Sequence, residues 1–168
     1  FAARSDQPED IVRAIASHLE KPGSDIGEVG EAVARDAKVA FVFSGNGSQW
    51  AGMGVEAFRE NLHFRQCFTS ISALFKFHAD ISLIDLLNDP ELDRKLADTK
   101  IAQPLLFAVQ AALSDSLIAM GIKPTAVFGH SVGEIAAAYA AGILSLVDAV
   151  SLVAKRSLHQ DLPAGQGT

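Results

Sequence analysis

An α/β fold, with helices layered on a parallel sheet, is what this sequence predicts, and three observations predict it. A continuous apolar run, Val39-Ala40-Phe41-Val42-Phe43, has strand length and ends in a turn rich in glycine, Ser44-Gly45-Asn46-Gly47. A second strand-length segment, residues 124–128, leads directly into an alanine-rich helical segment. Long stretches with helical spacing lie between and after these two runs, so the order is strand, helices, strand, helix.

Each element has its own signal. Residues 1–37 are alanine- and acid-rich, with a helix expected from 8 to 20, Asp6 as its N-cap, and a break at Lys21-Pro22-Gly23-Ser24. A second short helix is expected from 26 to 35. The run at 39–43 is expected to be a buried strand covered on both faces. From 55 to 77, Phe58, Leu62, Phe68, Ile71, Leu74 and Phe75 recur at helical spacing, which predicts one or two amphipathic helices whose phenylalanine stripe is core. Short helices are expected at 81–87 and 91–96, separated by Asn88-Asp89-Pro90. Gln103-Pro104 introduces an apolar helix from 105 to 120, and its Ala108, Ala111 and Ala112 allow close packing against a sheet. The strand at 124–128 is followed by a helix from about 132 to 141, a break at Gly142, and a helix from 145 to about 159.

The 168 residues carry a net charge of −6, are 49% hydrophobic and 20% charged, and contain one cysteine, Cys67. No block of Lys or Arg could follow a phosphate backbone, so nucleic acid is not an expected partner. A single cysteine excludes an internal disulfide and a CxxC metal site, and no metal ligand set is expected. No uninterrupted apolar run of membrane-spanning length and no signal-peptide pattern are evident, and a cytoplasmic location is expected.

Gly129-His130-Ser131-Val132-Gly133 matches G-x-S-x-G, directly after a strand and directly before a helix. A nucleophile on such a corner has a strained backbone with chain pressing on both sides, and glycine at 129 and 133 makes room. The helix that follows carries Ala136, Ala137, Ala138, Ala140 and Ala141 and points its N-terminus, with unpaired N–H groups and positive partial charge, at Ser131. His130, adjacent to the nucleophile, leaves the tight turn in another direction. It is expected to pack around the substrate site rather than to deprotonate Ser131. The turn Ser44-Gly45-Asn46-Gly47-Ser48-Gln49 is not a dinucleotide fingerprint, because Trp50 stands where glycine is required, and it lacks the Gly-Lys-Ser/Thr of a Walker loop. It remains either a tight turn or a backbone N–H donor to a developing negative charge.

Taken together, VAFVFSGNGSQWAGMG at 39–54, Gln103-Pro104, GHSVGE at 129–134, AAAYAAGILSLVDAVSLVAKR at 136–156 and the closing GQGT resemble the malonyl-CoA:acyl carrier protein transacylase family. The likeness covers residues 38–168 and is strongest to the acyltransferase domains of type I modular polyketide synthases. Residues 1–37 are similar to the linker between ketosynthase and acyltransferase domains, though shorter. The resemblance implies an α/β-hydrolase-like layered parallel sheet with a nucleophile elbow. It also implies that the sequence stops before a ferredoxin-like subdomain.

By the same resemblance Ser131 corresponds to the nucleophile, and the N–H groups of Asn46 and Val132 to the oxyanion donors. The family usually has glutamine in place of Asn46, and a main-chain donor survives that change. Gln103 matches a glutamine lining the acyl pocket. Arg156, 25 residues after Ser131, matches the arginine that grips the free carboxylate of malonyl groups, a task suited to a planar guanidinium. Val132 stands where methylmalonyl-selecting relatives often carry glutamine, so malonyl is the expected unit. The implied partners are malonyl-CoA, the phosphopantetheine thiol of an acyl carrier protein, a neighbouring ketosynthase and the remainder of the acyltransferase domain, with no cofactor.

The family's general base is a histidine beyond the end of this sequence, and no motif recommends His18, His63, His78 or His159 for that role. Negligible activity is therefore expected of the 168 residues alone. Two other readings compete. One is a serine hydrolase or thioesterase of the α/β-hydrolase type; the other is a noncatalytic structural segment of a megasynthase.

Overall fold

The computed structural model describes residues 8–20 and 38–160. The chain divides into two units, Phe1–Ala37 and Lys38–Thr168. In the first, α1 (Pro8–Glu20) forms where the sequence predicts it, with Glu9 and Asp10 in the first turn, where negative charge suits the helix dipole. The expected Asp6 cap and the helix expected at 26–35 lie outside the described residues.

In the second unit the two apolar runs become β1 (Ala40–Phe43) and β2 (Ala126–Gly129). They pair in parallel, with Ala40 opposite Ala126 and Phe43 opposite Gly129. Their C-terminal ends are therefore level, and the loops that leave them start side by side. This register is what positions the site.

The helices between the strands are α2 (Val55–Glu60), α3 (Leu62–Ala79), α4 (Leu83–Leu87), α5 (Leu92–Lys95) and α6 (Thr99–Ala119). After β2 come α7 (Gly133–Ala140) and α8 (Leu146–His159). Caps fix several of the starts: the Asn61 side chain accepts from Phe64 N, Ser82 from Asp85 N, Asp98 from Lys100 N and Ser145 from Asp148 N. Helix α3 ends at Asp80, which takes a left-handed conformation with φ 55°.

The core lies where α3, α6 and α8 meet one another. Phe64, Phe68, Ile71 and Phe75 of α3 meet Leu105, Phe107, Ala108 and Ala111 of α6 and Val150, Val153 and Ala154 of α8, all of them buried. Phe75 and Phe107 make an edge-to-face contact with centroids 6.2 Å apart. Phe68, Ile71 and Phe75 are thus core, as their spacing predicts, and Phe58 and Leu74 pack against it half-buried, whereas Leu62 is exposed. Helix α7 packs on both strands and on α6 and α8, and its small buried Ala136 and Ala137 permit that approach.

Two expectations need correction. Helix α6 begins at Thr99 rather than 105 and runs through Pro104. The Asp98 cap starts it earlier, and buried packing at Gln103, Pro104 and Leu105 carries it past the one donor that proline lacks. The same helix is long and apolar enough to cross a bilayer, although polar residues interrupt it; 61% of its most apolar window is buried as the core helix. Finally, β1 is covered on one face, not two. Covering both faces of a parallel sheet takes a helical layer on each. Here α7 covers the side of Phe41, Phe43 and Val127, while Val42 and Phe128 on the other are 77% and 60% exposed. The architecture is α/β, rich in helix, with a small parallel sheet.

Candidate active site

Strand β2 ends at Gly129, and α7 begins only four residues later. His130 N still donates to the Phe43 carbonyl at 3.1 Å, extending the ladder by one bond. The chain must then reverse into the helix. It does so at Ser131, whose φ of 58° is a left-handed conformation costly for any residue with a Cβ. Among the described residues only Asp80 shares this feature outside glycine. Bonds from Gly133 N to the His130 carbonyl (2.9 Å) and from Glu134 N to the Ser131 carbonyl (3.1 Å) lock the corner and open α7.

The corner is possible because the chain on both sides is bare of side chains. A Cβ on Gly133 would lie 2.3 Å from the Phe43 carbonyl oxygen, and one on Gly129 would lie 2.3 Å from the Gly133 carbonyl oxygen. Both obstacles are backbone and cannot swing away.

The turn after β1 comes to the same place. Gly45 is buried, and a Cβ there would lie 2.8 Å from the His130 carbonyl oxygen and 3.1 Å from Ser131 Cβ. Asn46 is therefore one residue from a backbone that touches the serine corner. Val132, at the N-cap of α7, is fully buried. The two expected oxyanion donors thus stand on adjoining segments.

Arg156, on α8, also reaches this corner. Its Nη2 donates to Ser131 Oγ at 3.0 Å, and its Nε is buried without a hydrogen-bond partner among the described residues. A guanidinium with spare donors beside a hydroxyl can hold an anion attached to that hydroxyl.

Gln103 is 1% exposed, and its Nε2 donates to Gln160 Oε1, at the C-cap of α8 one turn beyond Arg156. Its Oε1 finds no donor among the described residues. Its hydrogen bond thus goes to the end of α8 rather than to Ser131. His130 is exposed, with its ring beside Gly45, and Arg156 is the hydrogen-bond partner that Ser131 Oγ has among the described residues.

Cys67 offers no second nucleophile. Burial pushes its thiol up to about 11, and the Asp115 carboxylate adds to the shift. Asp115 also accepts from the Tyr139 hydroxyl at 2.8 Å, and burial followed by that bond raises the Tyr139 phenol.

Sequence reasoning missed Gln110. Its Nε2 donates to the Ser44 carbonyl at 2.9 Å and lies 3.3 Å from Ser44 Oγ. A signal existed: a polar amide seven residues after Gln103, on the same face of a helix that is apolar from 104 to 113 but for this residue.

Comparison with known proteins places these residues in context. The acyl transferase domain family matches residues 40–167. The acyltransferase domain from the second module of the salinomycin polyketide synthase is similar over 97% of this chain and 38% of that one, at 35% identity and a TM-score of 0.80. The malonyl-CoA:ACP transacylase of a Synechocystis species is similar over 73% of this chain and 39% of that one, at 34% identity and a TM-score of 0.64. Polyketide synthase GfsB of Streptomyces halstedii is 39% identical over 161 residues, which are 94% of this chain and 3% of that protein. The chain spans a small part, 3% to 8%, of the length of curated synthases similar to it.

Proposed function

Because this chain belongs to the acyl transferase domain family, we propose that it supplies the nucleophile and the carboxylate clamp for malonyl transfer from coenzyme A to an acyl carrier protein in polyketide biosynthesis. The observation that carries this reading is the 3.0 Å bond from Arg156 Nη2 to Ser131 Oγ. A malonyl ester on that oxygen bears its free carboxylate only a few bonds further on, within reach of the same guanidinium.

The chemistry follows from the parts. Ser131 Oγ attacks the thioester carbonyl and gives its proton to a base. The carbonyl oxygen takes up negative charge, which the N–H groups of Asn46 and Val132 and the N-terminus of α7 stabilise. Coenzyme A leaves as its thiol, and the malonyl group remains as an ester on Ser131. The phosphopantetheine thiol of the carrier protein then attacks the ester, and Ser131 recovers its proton. In this reading Gln103 shapes the acyl pocket from beneath, His130 packs beside the glycine turn, and buried Val132 favours malonyl over bulkier units. An α/β-hydrolase-like layering of the complete domain, a linker role for residues 1–37, neighbouring ketosynthase contacts and a cytoplasmic setting belong to the same proposal, which calls for no metal or redox cofactor.

The base is a histidine outside these residues. In support, among the described residues Arg156 rather than a histidine meets Ser131 Oγ. Residues 1–168 alone are therefore expected to take up no label from radiolabelled malonyl-CoA; stoichiometric labelling at Ser131 would refute this.

The clamp has its own test, made in a complete acyltransferase domain that contains these residues. Arg156→Ala is expected to lower kcat/KM for malonyl-CoA about a hundredfold or more, the loss typical of removing one partner of a desolvated charge pair. Loading from acetyl-CoA, which has no carboxylate, is expected to hold or rise. An equal fall with both thioesters would mean that Arg156 serves the fold and not the substrate.

A further inference from the structure

The turn at 44–49 must hold the Asn46 N–H steady, yet the backbone ladder that organises β1 ends just before it. The last bond of that ladder is His130 N to the Phe43 carbonyl. From Ser44 onward, side chains fix the turn. Gln110 Nε2 donates to the Ser44 carbonyl at 2.9 Å. Ser48 Oγ lies 3.0 Å from Ser44 Oγ and 2.9 Å from the Gly45 carbonyl oxygen. Gln49 closes the far side, accepting from Gly47 N at 2.7 Å and donating to the Leu96 carbonyl at 3.3 Å.

Gln110 differs from the others because it lies outside the turn, on the core helix α6. It is the tie between the turn and the rigid core at the point where β1 lets go. Its Oε1 is buried and finds no hydrogen-bond donor among the described residues. A residue needed only to fill space would do better as leucine, which leaves no acceptor unpaired. The amide is useful there for what its Nε2 holds. Ser44 precedes Gly45, whose backbone touches His130 and Ser131, so a shift at Ser44 passes directly to Asn46.

We propose that Gln110 is a positioning residue: by holding the Ser44 carbonyl it aims the Asn46 N–H at the oxyanion that forms on the Ser131 ester. This rests on the acyl-transfer reading above. It also separates two jobs within one helix, with Gln103 tied to the end of α8 and Gln110 tied to the oxyanion turn.

The test uses a complete domain that contains these residues, with Gln110→Leu and Gln110→Glu beside the unaltered protein. Acylation by malonyl-CoA is followed in single turnovers. Gln110→Leu is expected to slow acylation at saturating thioester about ten- to a hundredfold, a share of what losing one oxyanion donor costs. The half-saturating concentration should barely move, and Tm should hold or rise because an unpaired acceptor is gone. Gln110→Glu keeps the shape but turns an acceptor toward the Ser44 carbonyl. Its deficit relative to the unaltered protein is expected to shrink as pH falls and the protonated carboxyl regains a donor. An unchanged acylation rate in Gln110→Leu, or a rate that falls only in step with Tm, would overturn the proposal. If the unaltered domain forms no ester on Ser131, the acyl-transfer reading itself fails and this inference with it. The Gln110 variants keep Ser131 and cannot produce that result.

Discussion

Ser131→Ala in a complete domain containing these residues is expected to lower malonyl transfer by about four orders of magnitude or more, the scale seen when a covalent nucleophile is removed. Among the described residues nothing nearby can replace it. The Ser44 and Ser48 hydroxyls are engaged with each other and with Gln110 and Gly45, and burial pushes the Cys67 thiol further from its reactive thiolate form. Stability should move in the opposite direction from activity when the replacement is glycine. The serine φ of 58° is strained for any residue with a Cβ, so Ser131→Gly is expected to stabilise the fold by about 1 kcal/mol while abolishing transfer. Activity assays and thermal unfolding on the two variants check this together. Retained transfer in Ser131→Ala would remove the serine from the chemistry, and a less stable Ser131→Gly would remove strain from the corner.

Gly133→Ala has the next largest expected effect, and it acts through the fold. The added methyl would lie 2.3 Å from the Phe43 carbonyl oxygen and 2.7 Å from that of Ser44. Relief requires the first turn of α7 to lift off the end of β1, which separates the serine corner from the glycine turn. A backbone clash of this kind is expected to cost about 3 kcal/mol or more, enough to leave a marginal domain largely unfolded. The measurement is chemical denaturation of the variant beside the parent. Because the two loops part at this junction, any folded fraction should also acylate slowly. A variant of parental stability would show that the two strand ends are not in the contact described.

The geometry of the candidate serine corner was legible because its signals are local. The elbow announces itself by two glycines around a serine between a strand and an alanine-rich helix, and the structure shows the positive φ and the backbone contacts that such spacing requires. Parallel pairing of the two apolar runs brings residues 44–49 and 129–133 together, and the order of elements implied that much. What was not legible depends on partners far apart in sequence. The tie from Gln110 to Ser44 spans 66 residues, and nothing in the residues around either end signals the other. Likewise, the bare face of β1 at Val42 could not be read from an apolar run, since the same run suits a strand covered on one face or on two. Helix α6 started early because Asp98 supplies a cap, a signal outweighed in the sequence by Pro104.

The central claim is that the malonyl group rests on Ser131 between donor and acceptor. It is tested most directly by incubating a complete domain containing these residues with malonyl-CoA, quenching, and mapping the added mass by peptide mass spectrometry. The account predicts one malonyl ester, on the peptide bearing Ser131, that disappears when carrier protein with a free phosphopantetheine thiol is added. Transfer to the carrier protein with no adduct at that residue, or with the adduct on another side chain, would contradict it.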